Sequence, residues 1–202
     1  HQLLSELDEP YRTMVLVAVC LGLRVSEIIG LKWGDFDWQN SSVLVQRSVV
    51  HGREGETKTE YSRRPIPLDP ALRESLYTWR ERAFYQTDAD WVFANDAGRP
   101  RWQETILEKR LKPAALRAVI GKIGWHTFRH TYSTMLRSCG VDVKVQQKLL
   151  RRADIQTTLN VYTQAVSEAK RDANSKVVRM VLPMVPQKAE KAASGDLAAN
   201  GS

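Results

Sequence analysis

The stretch WHTFRHTYSTML, Trp125 to Leu136, brings His126, Arg129 and His130 within five residues of one another. On a helix His126 and His130 share a face, at the i, i+4 spacing of a metal-binding pair. The glutamate that such a motif carries after its first histidine is missing, because Thr127 stands there, and the stretch has no cysteine. His126 and Arg129, three apart, also share a helical face. An arginine fork presents fixed donors to phosphate oxygens, and a histidine beside it can move a proton. Taken alone, a helix start with a surface arginine is the simpler reading.

Three other segments carry reactive groups of matching type. Arg24 follows a glycine turn in GLRVSEIIGLKW, Lys58 lies in the polar run TKTEYSRRPIPL, and Tyr162 sits in LLRRADIQTTLNVYTQA. Each has a plain alternative. Arg24 could brace the turn after Gly22, Lys58 could be a solvated turn lysine with Lys32 and Lys122 as competitors, and Tyr162 could be a core tyrosine. Tyr132 is the rival tyrosine, but it falls within a helical core pattern. No Gly-x-x-x-x-Gly-Lys loop and no Gly-x-Ser-x-Gly elbow occurs, which argues against P-loop nucleotide hydrolysis and a serine-hydrolase centre.

The elements that must position these groups read as mostly helical. The chain has 202 residues, 43% of them hydrophobic and 26% charged, enough for one sizeable core. A helix start is expected over Ser5 to Pro10, and a mostly buried helix from Tyr11 to Leu21, ended by Gly22. A short helix follows in LRVSEIIGLKW. The period then changes: a polar turn at Gln39-Asn40-Ser41, a β-rich run to Val50, GREGETKTEYS and RRPIPL suggest a small antiparallel sheet of about three strands. Leu72, Leu76 and Trp79 mark a helix after Pro70. WVFAN is a short buried strand or an apolar link. Further helices are expected over Gln103–Ala118 with a kink near Pro113, then Thr127–Ser138, Val143–Leu150, Ile155–Tyr162 and Val166–Val181. Residues 183–202 are small, polar and patternless, and read as a flexible tail.

A formal net charge of +7 suits a polyanionic partner, since each neutralised phosphate releases counterions. Cys20 and Cys139 read as small core or helix-end residues, consistent with a reducing cytoplasm. The apolar run MVLVAVCLGL is too short to span a bilayer, and no secretory signal opens the chain.

GLRVSE, TKT, HTFRH and LNVYTQ occur in that order, and on these motifs the chain resembles the tyrosine recombinases, or phage integrases, from Leu3 to about Val181. The resemblance implies an α+β, mostly α-helical catalytic domain over residues 1–182 with a small antiparallel three-stranded sheet. It implies catalytic roles for Arg24, Lys58, His126, Arg129, Arg152 and Tyr162. Tyr162 would be the nucleophile, Arg24 and Arg129 the phosphate clamps, His126 the base candidate and Lys58 the acid. His130 reads as support for the site. The reaction implied is strand cleavage and rejoining through a covalent 3′-phosphotyrosyl bond, with neither metal nor ATP as cofactor. The partners implied are double-stranded DNA and, in the whole protein, a homo-tetramer on paired sites. An N-terminal core-DNA-binding domain is expected in the family, and nothing in these residues supplies it. VSEAKRDANSKVVRMVL is the candidate segment for packing on a neighbour, with packing back on its own domain as the alternative.

One departure stands out. The family carries histidine or tryptophan in a Leu-Gly-His context ten positions before the tyrosine; here Arg151 and Arg152 replace the glycine and the histidine. Arginine is also a donor, longer and permanently charged. Losing such a donor typically costs about 2.7–4 kcal/mol in a transition state. An active enzyme is expected, with an attenuated DNA-binding protein of the same fold and a type IB topoisomerase-like activity as the competing readings. Arg47, Arg53, Arg63, Arg64 and Arg101 are candidates for base contacts.

Overall fold

The computed structural model describes residues 1–56, 65–150 and 163–182. Its helices are α1 (Gln2–Ser5), α2 (Tyr11–Leu21), α3 (Val25–Ile29), α4 (Pro70–Arg82), α5 (Gln103–Ile106), α6 (Lys112–Arg117), α7 (Trp125–Ser138), α8 (Val143–Leu149) and α9 (Thr163–Val181). The strands are β1 (Phe36–Asp37), β2 (Ser42–Val43), β3 (Arg47–Val50), β4 (Arg53–Glu56) and β5 (Ile66–Pro67). The expected helix over Ile155–Tyr162, the expected tail from 183, and Lys58, Arg63, Arg64, Arg151, Arg152 and Tyr162 lie outside the described residues.

α2 is the axle of the fold. Every residue from Thr13 to Leu21 is buried, as befits a helix apolar on all sides. It packs against α3, α4, α7 and α9. Pro10 precedes its first turn, and the Glu9 carboxylate accepts the Thr13 N–H at 3.1 Å. The helix start expected over Ser5 to Pro10 is therefore divided: Ser5 closes α1, and the acidic residue that caps α2 is Glu9. Gly22 ends α2 with φ of +62°.

That glycine is required twice over. A left-handed φ is strained for a side chain, and a Cβ there would stand 2.3 Å from the Tyr132 ring. Gly22→Ala is expected to destabilise by about 3 kcal/mol, combining backbone strain with overpacking. A urea midpoint unchanged from the parent would contradict this.

The β residues form two units. β1, β2 and β5 make an antiparallel three-stranded sheet with β2 central, pairing Phe36 with Val43 and Val43 with Ile66. β3 and β4 form a separate hairpin, with Arg47 opposite Glu56 and Val50 opposite Arg53. The three-stranded sheet agrees with the sequence reading, whereas the hairpin leaves it and packs on α3.

α4 begins as expected, with Asp69 accepting the Ala71 N–H at 2.9 Å and Pro70 in the first turn. WVFAN is the apolar link: Val92 and Phe93 are buried, and Trp91 and Ala94 make only isolated bridges to Lys32 and Pro100. The helix from Gln103 runs to Arg117 through one turn of π-helix, Leu107–Leu111, before α6. Pro113 has no N–H and would clash with the carbonyl four residues back, and the wider turn ahead of it relieves both problems. The expected kink is thus a π-turn placed before the proline.

The described part of α9, Thr163–Val181, includes all of the expected helix over Val166–Val181. Val177, Val178 and Val181 are buried against their own domain, and only Met180 of that apolar group is exposed. The self-packing alternative for this segment is the one the structure takes. No helix among the described residues is long and apolar enough to cross a membrane.

Candidate active site

Arg24 leaves the Gly22-Leu23 turn in extended backbone and caps α3. Glu27, one turn on, is buried and grips it at two points. Its Oε2 accepts the Arg24 N–H at 2.7 Å, and its Oε1 lies 3.2 Å from Arg24 Nη1. The Arg24 side chain stays 46% exposed. The bracing role and an outward-facing guanidinium therefore coexist. Glu27 was not singled out in the sequence reading, although a carboxylate three residues after a helix start is a recognisable capping signal.

α7 carries the histidine-arginine stretch. Gly124 N–H donates to Thr127 Oγ1 at 3.0 Å, which starts the helix at Trp125 rather than Thr127. Phe128, Arg129, Tyr132 and Leu136 form its buried stripe. His126 and His130 are exposed on its flank. The i, i+3 spacing thus puts His126 at the rim and Arg129 beneath it, only 8% exposed. Arg129 donates through Nη1 to the Gly22 carbonyl and through Nη2 to the Leu150 carbonyl. A charge this deep requires such satisfaction. Those two carbonyls lie two residues before Arg24 and immediately before Arg151. One side chain therefore sets the spacing of three of the segments that the motifs single out.

Tyr132 is the tyrosine the structure removes from contention as a nucleophile. It is fully buried, and burial pushes its hydroxyl pKa upward. Its hydroxyl donates to Asn174 Oδ1 at 3.2 Å. Cys20 is equally inert, since burial raises its thiol to about 12.

The basic candidates divide. Arg47 is not available for base contacts. Its Nη1 lies 2.6 Å from Asp35 Oδ2 and 3.3 Å from the Gly30 carbonyl, and its Nε lies 3.3 Å from Glu54. Asp35 is buried and needs these donors, together with Gln46 Nε2 at 2.9 Å and the Lys32 N–H at 2.8 Å. Arg101 is mostly buried over the Tyr11 ring, with Nη1 3.3 Å from the Tyr11 hydroxyl. Arg53 is exposed. Two cations missed in sequence are Lys109 and Arg110, both exposed on the π-turn. They line a cleft of about 250 Å³ with Tyr11, Trp102 and Thr105, and the Arg110 guanidinium sits 5.2 Å from the Tyr11 ring centre. Among the described residues no three His, Cys, Asp or Glu side chains converge as a metal ion would need.

Residues 1–168 match the phage integrase family, and the chain belongs to it. A tyrosine recombinase XerC-like protein of Caldanaerobacter subterraneus subsp. tengcongensis is 30% identical over 186 residues, covering 80% of this chain and 47% of that protein. The integrase of Staphylococcus phage L54a is 25% identical over 203 residues, covering 89% and 56%. The chain thus spans about half the length of the curated relatives it matches. In fold it is similar to the Tn1549 transposon integrase solved with circular intermediate DNA, with a TM-score of 0.65 at 21% identity, covering 84% of this chain and 62% of that one. The α+β architecture, mostly helical with a small antiparallel sheet, is that of the tyrosine recombinases.

Proposed function

We propose that residues 1–182 form the catalytic domain of a site-specific DNA recombinase, which cuts and rejoins DNA through a 3′-phosphotyrosyl intermediate. The observation that carries the reading is the convergence on Arg129 of the Arg24 turn and the end of α8, in a chain of the phage integrase family. Tyr162 Oη attacks the scissile phosphorus as His126 accepts its proton. The 5′ oxygen leaves and takes a proton from Lys58. A second 5′-hydroxyl reverses the step and reseals the strand, so no bond energy is lost and no ATP is consumed. Arg24 and Arg129 supply positive charge where the pentavalent phosphate gains negative charge, and Arg152 supplies a donor beside them. Braced by Glu27 and by two carbonyls respectively, the arginines need little reorganisation as the charge develops.

The substrate in this reading is double-stranded DNA in the cytoplasm, bound by a tetramer on paired sites. The test is a detergent-quenched reaction of supercoiled plasmid in EDTA, scored for protein covalently attached to DNA. A metal-independent adduct supports the reading. Plasmid relaxation with no strand exchange between paired sites would favour a type IB topoisomerase-like activity. DNA binding with no adduct, from protein carrying whatever further domain the site requires, would favour an attenuated binder.

Lys109 and Arg110 are proposed phosphate contacts. Replacing both with Gln should lower the slope of log affinity against log salt by about 1.8, from about 0.9 per phosphate on duplex DNA. A slope unchanged in a titration at several salt concentrations would remove them from the interface.

A further inference from the structure

We propose that Asn174 is a positioning residue for strand cleavage: a buried amide on α9, the helix that follows Tyr162 in sequence, that registers α9 against α7 and the sheet. The inference rests on the recombinase reading above. Asn174 is 1% exposed, among Ala173, Val177 and Val178 on the apolar face of α9. Its two ends do different work. Nδ2 donates to the Pro67 carbonyl at 2.9 Å, and Oδ1 accepts the Tyr132 hydroxyl at 3.2 Å. The Pro67 carbonyl can only accept, so the amide nitrogen must face it, and this orientation leaves the oxygen for Tyr132.

Each partner leads to one of the segments that carry reactive groups. Pro67 ends β5, the strand that follows the segment bearing Lys58. Tyr132 lies three residues after Arg129 on α7, and its ring fills the space beside Gly22 where a Cβ would stand. α9 itself begins at Thr163, directly after Tyr162 in sequence. A helix held by valines alone can slide or rotate by a fraction of a turn, since apolar contact is not directional. Two hydrogen bonds of fixed direction remove that freedom. Asn174 thus selects one seat for α9, and with it one starting point for Tyr162 relative to the two arginines. None of the four motifs GLRVSE, TKT, HTFRH and LNVYTQ includes this residue.

The distinguishing measurement separates cleavage from binding. Asn174→Leu, Tyr132→Phe and a control, Leu76→Ala, would be compared in the native protein on a nicked DNA substrate that traps the covalent intermediate. Leu76 is buried on α4 and has no part in the amide contacts. Asn174→Leu is expected to bind DNA within about twofold of the parent, yet cleave about 10- to 100-fold more slowly at saturation, as a misplaced reacting group does. Tyr132→Phe keeps the Pro67 bond and should lose less. Leu76→Ala should lower the melting temperature while the folded protein cleaves at the parent rate. Parent-rate cleavage by Asn174→Leu, or an equal loss in Leu76→Ala, would overturn the proposal while leaving the recombinase reading intact. Absence of a Tyr162 adduct from the parent itself would overturn both.

Discussion

Tyr162→Phe is expected to remove the covalent protein–DNA adduct altogether, with DNA affinity retained. In the proposed mechanism the phenolic oxygen is the atom that bonds to phosphorus, and phenylalanine keeps the ring without it. Tyrosine has a pKa near 10, so about one molecule in a thousand is ionised at neutral pH, a handicap of about 4 kcal/mol. Cationic neighbours favour the phenolate and a base can take its proton, which is the work assigned to Arg24, Arg129 and His126. The structure sharpens the expectation by disposing of the nearest rival. Tyr132 is sealed in the core, its hydroxyl already donated to Asn174 and its pKa raised by burial. Tyr132→Phe should therefore retain the adduct, even if it forms more slowly. Gel detection of attached protein after a detergent quench decides the matter. An adduct that persists in Tyr162→Phe would assign the nucleophile elsewhere.

Arg129→Met should fail in two ways at once. Arg129 is placed as a phosphate clamp, yet its guanidinium is also the donor to the Gly22 and Leu150 carbonyls. Hydrogen bonds from charged groups contribute about 1.5–3 kcal/mol each, so losing both should lower unfolding stability by about 3–6 kcal/mol. Removal of one transition-state donor costs about 100- to 1000-fold in rate, and the loosened turn should add to that. Arg24→Met makes the comparison informative. Its guanidinium is half in solvent beside Glu27, and such pairs contribute about 1 kcal/mol or less. It should lose cleavage while keeping nearly full stability. Urea unfolding and single-turnover cleavage on both variants separate the cases, and parent-like stability in Arg129→Met would refute the clasp.

The parts legible in sequence are those governed by local physics. α2 runs from Tyr11 to Leu21 and ends at Gly22, as read, because an uninterrupted apolar run and a glycine act within a few residues. Leu72, Leu76 and Trp79 marked α4 after Pro70 for the same reason. Strands of two residues in the sheet are a different matter. β2 gains its identity only from pairing with β1 and β5, and no period of two can show itself over Ser42–Val43. The helix through Pro113 was legible as a kinked helix, whereas the π-turn at Leu107–Leu111 that accommodates the proline leaves no periodicity of its own to read.

What the sequence offers by itself is a set of candidate reactive residues and their order: Arg24, Lys58, His126, Arg129, Arg152 and Tyr162. Chemical type and spacing are properties of the chain and survive without a fold. Only the tertiary structure decided which partners each charge meets inside the molecule. Arg47 and Arg129 look alike as letters, yet one is bound to Asp35 and Glu54, and the other clasps two carbonyls. Those partners lie up to 107 residues away, between Arg129 and Gly22. The same holds for α9, whose valines needed a cover that the sequence left open between a neighbour and its own domain, and that the structure finds on α2 and α7. Burial and hydrogen-bond partnership are set by long-range contacts, so residue type alone does not carry them.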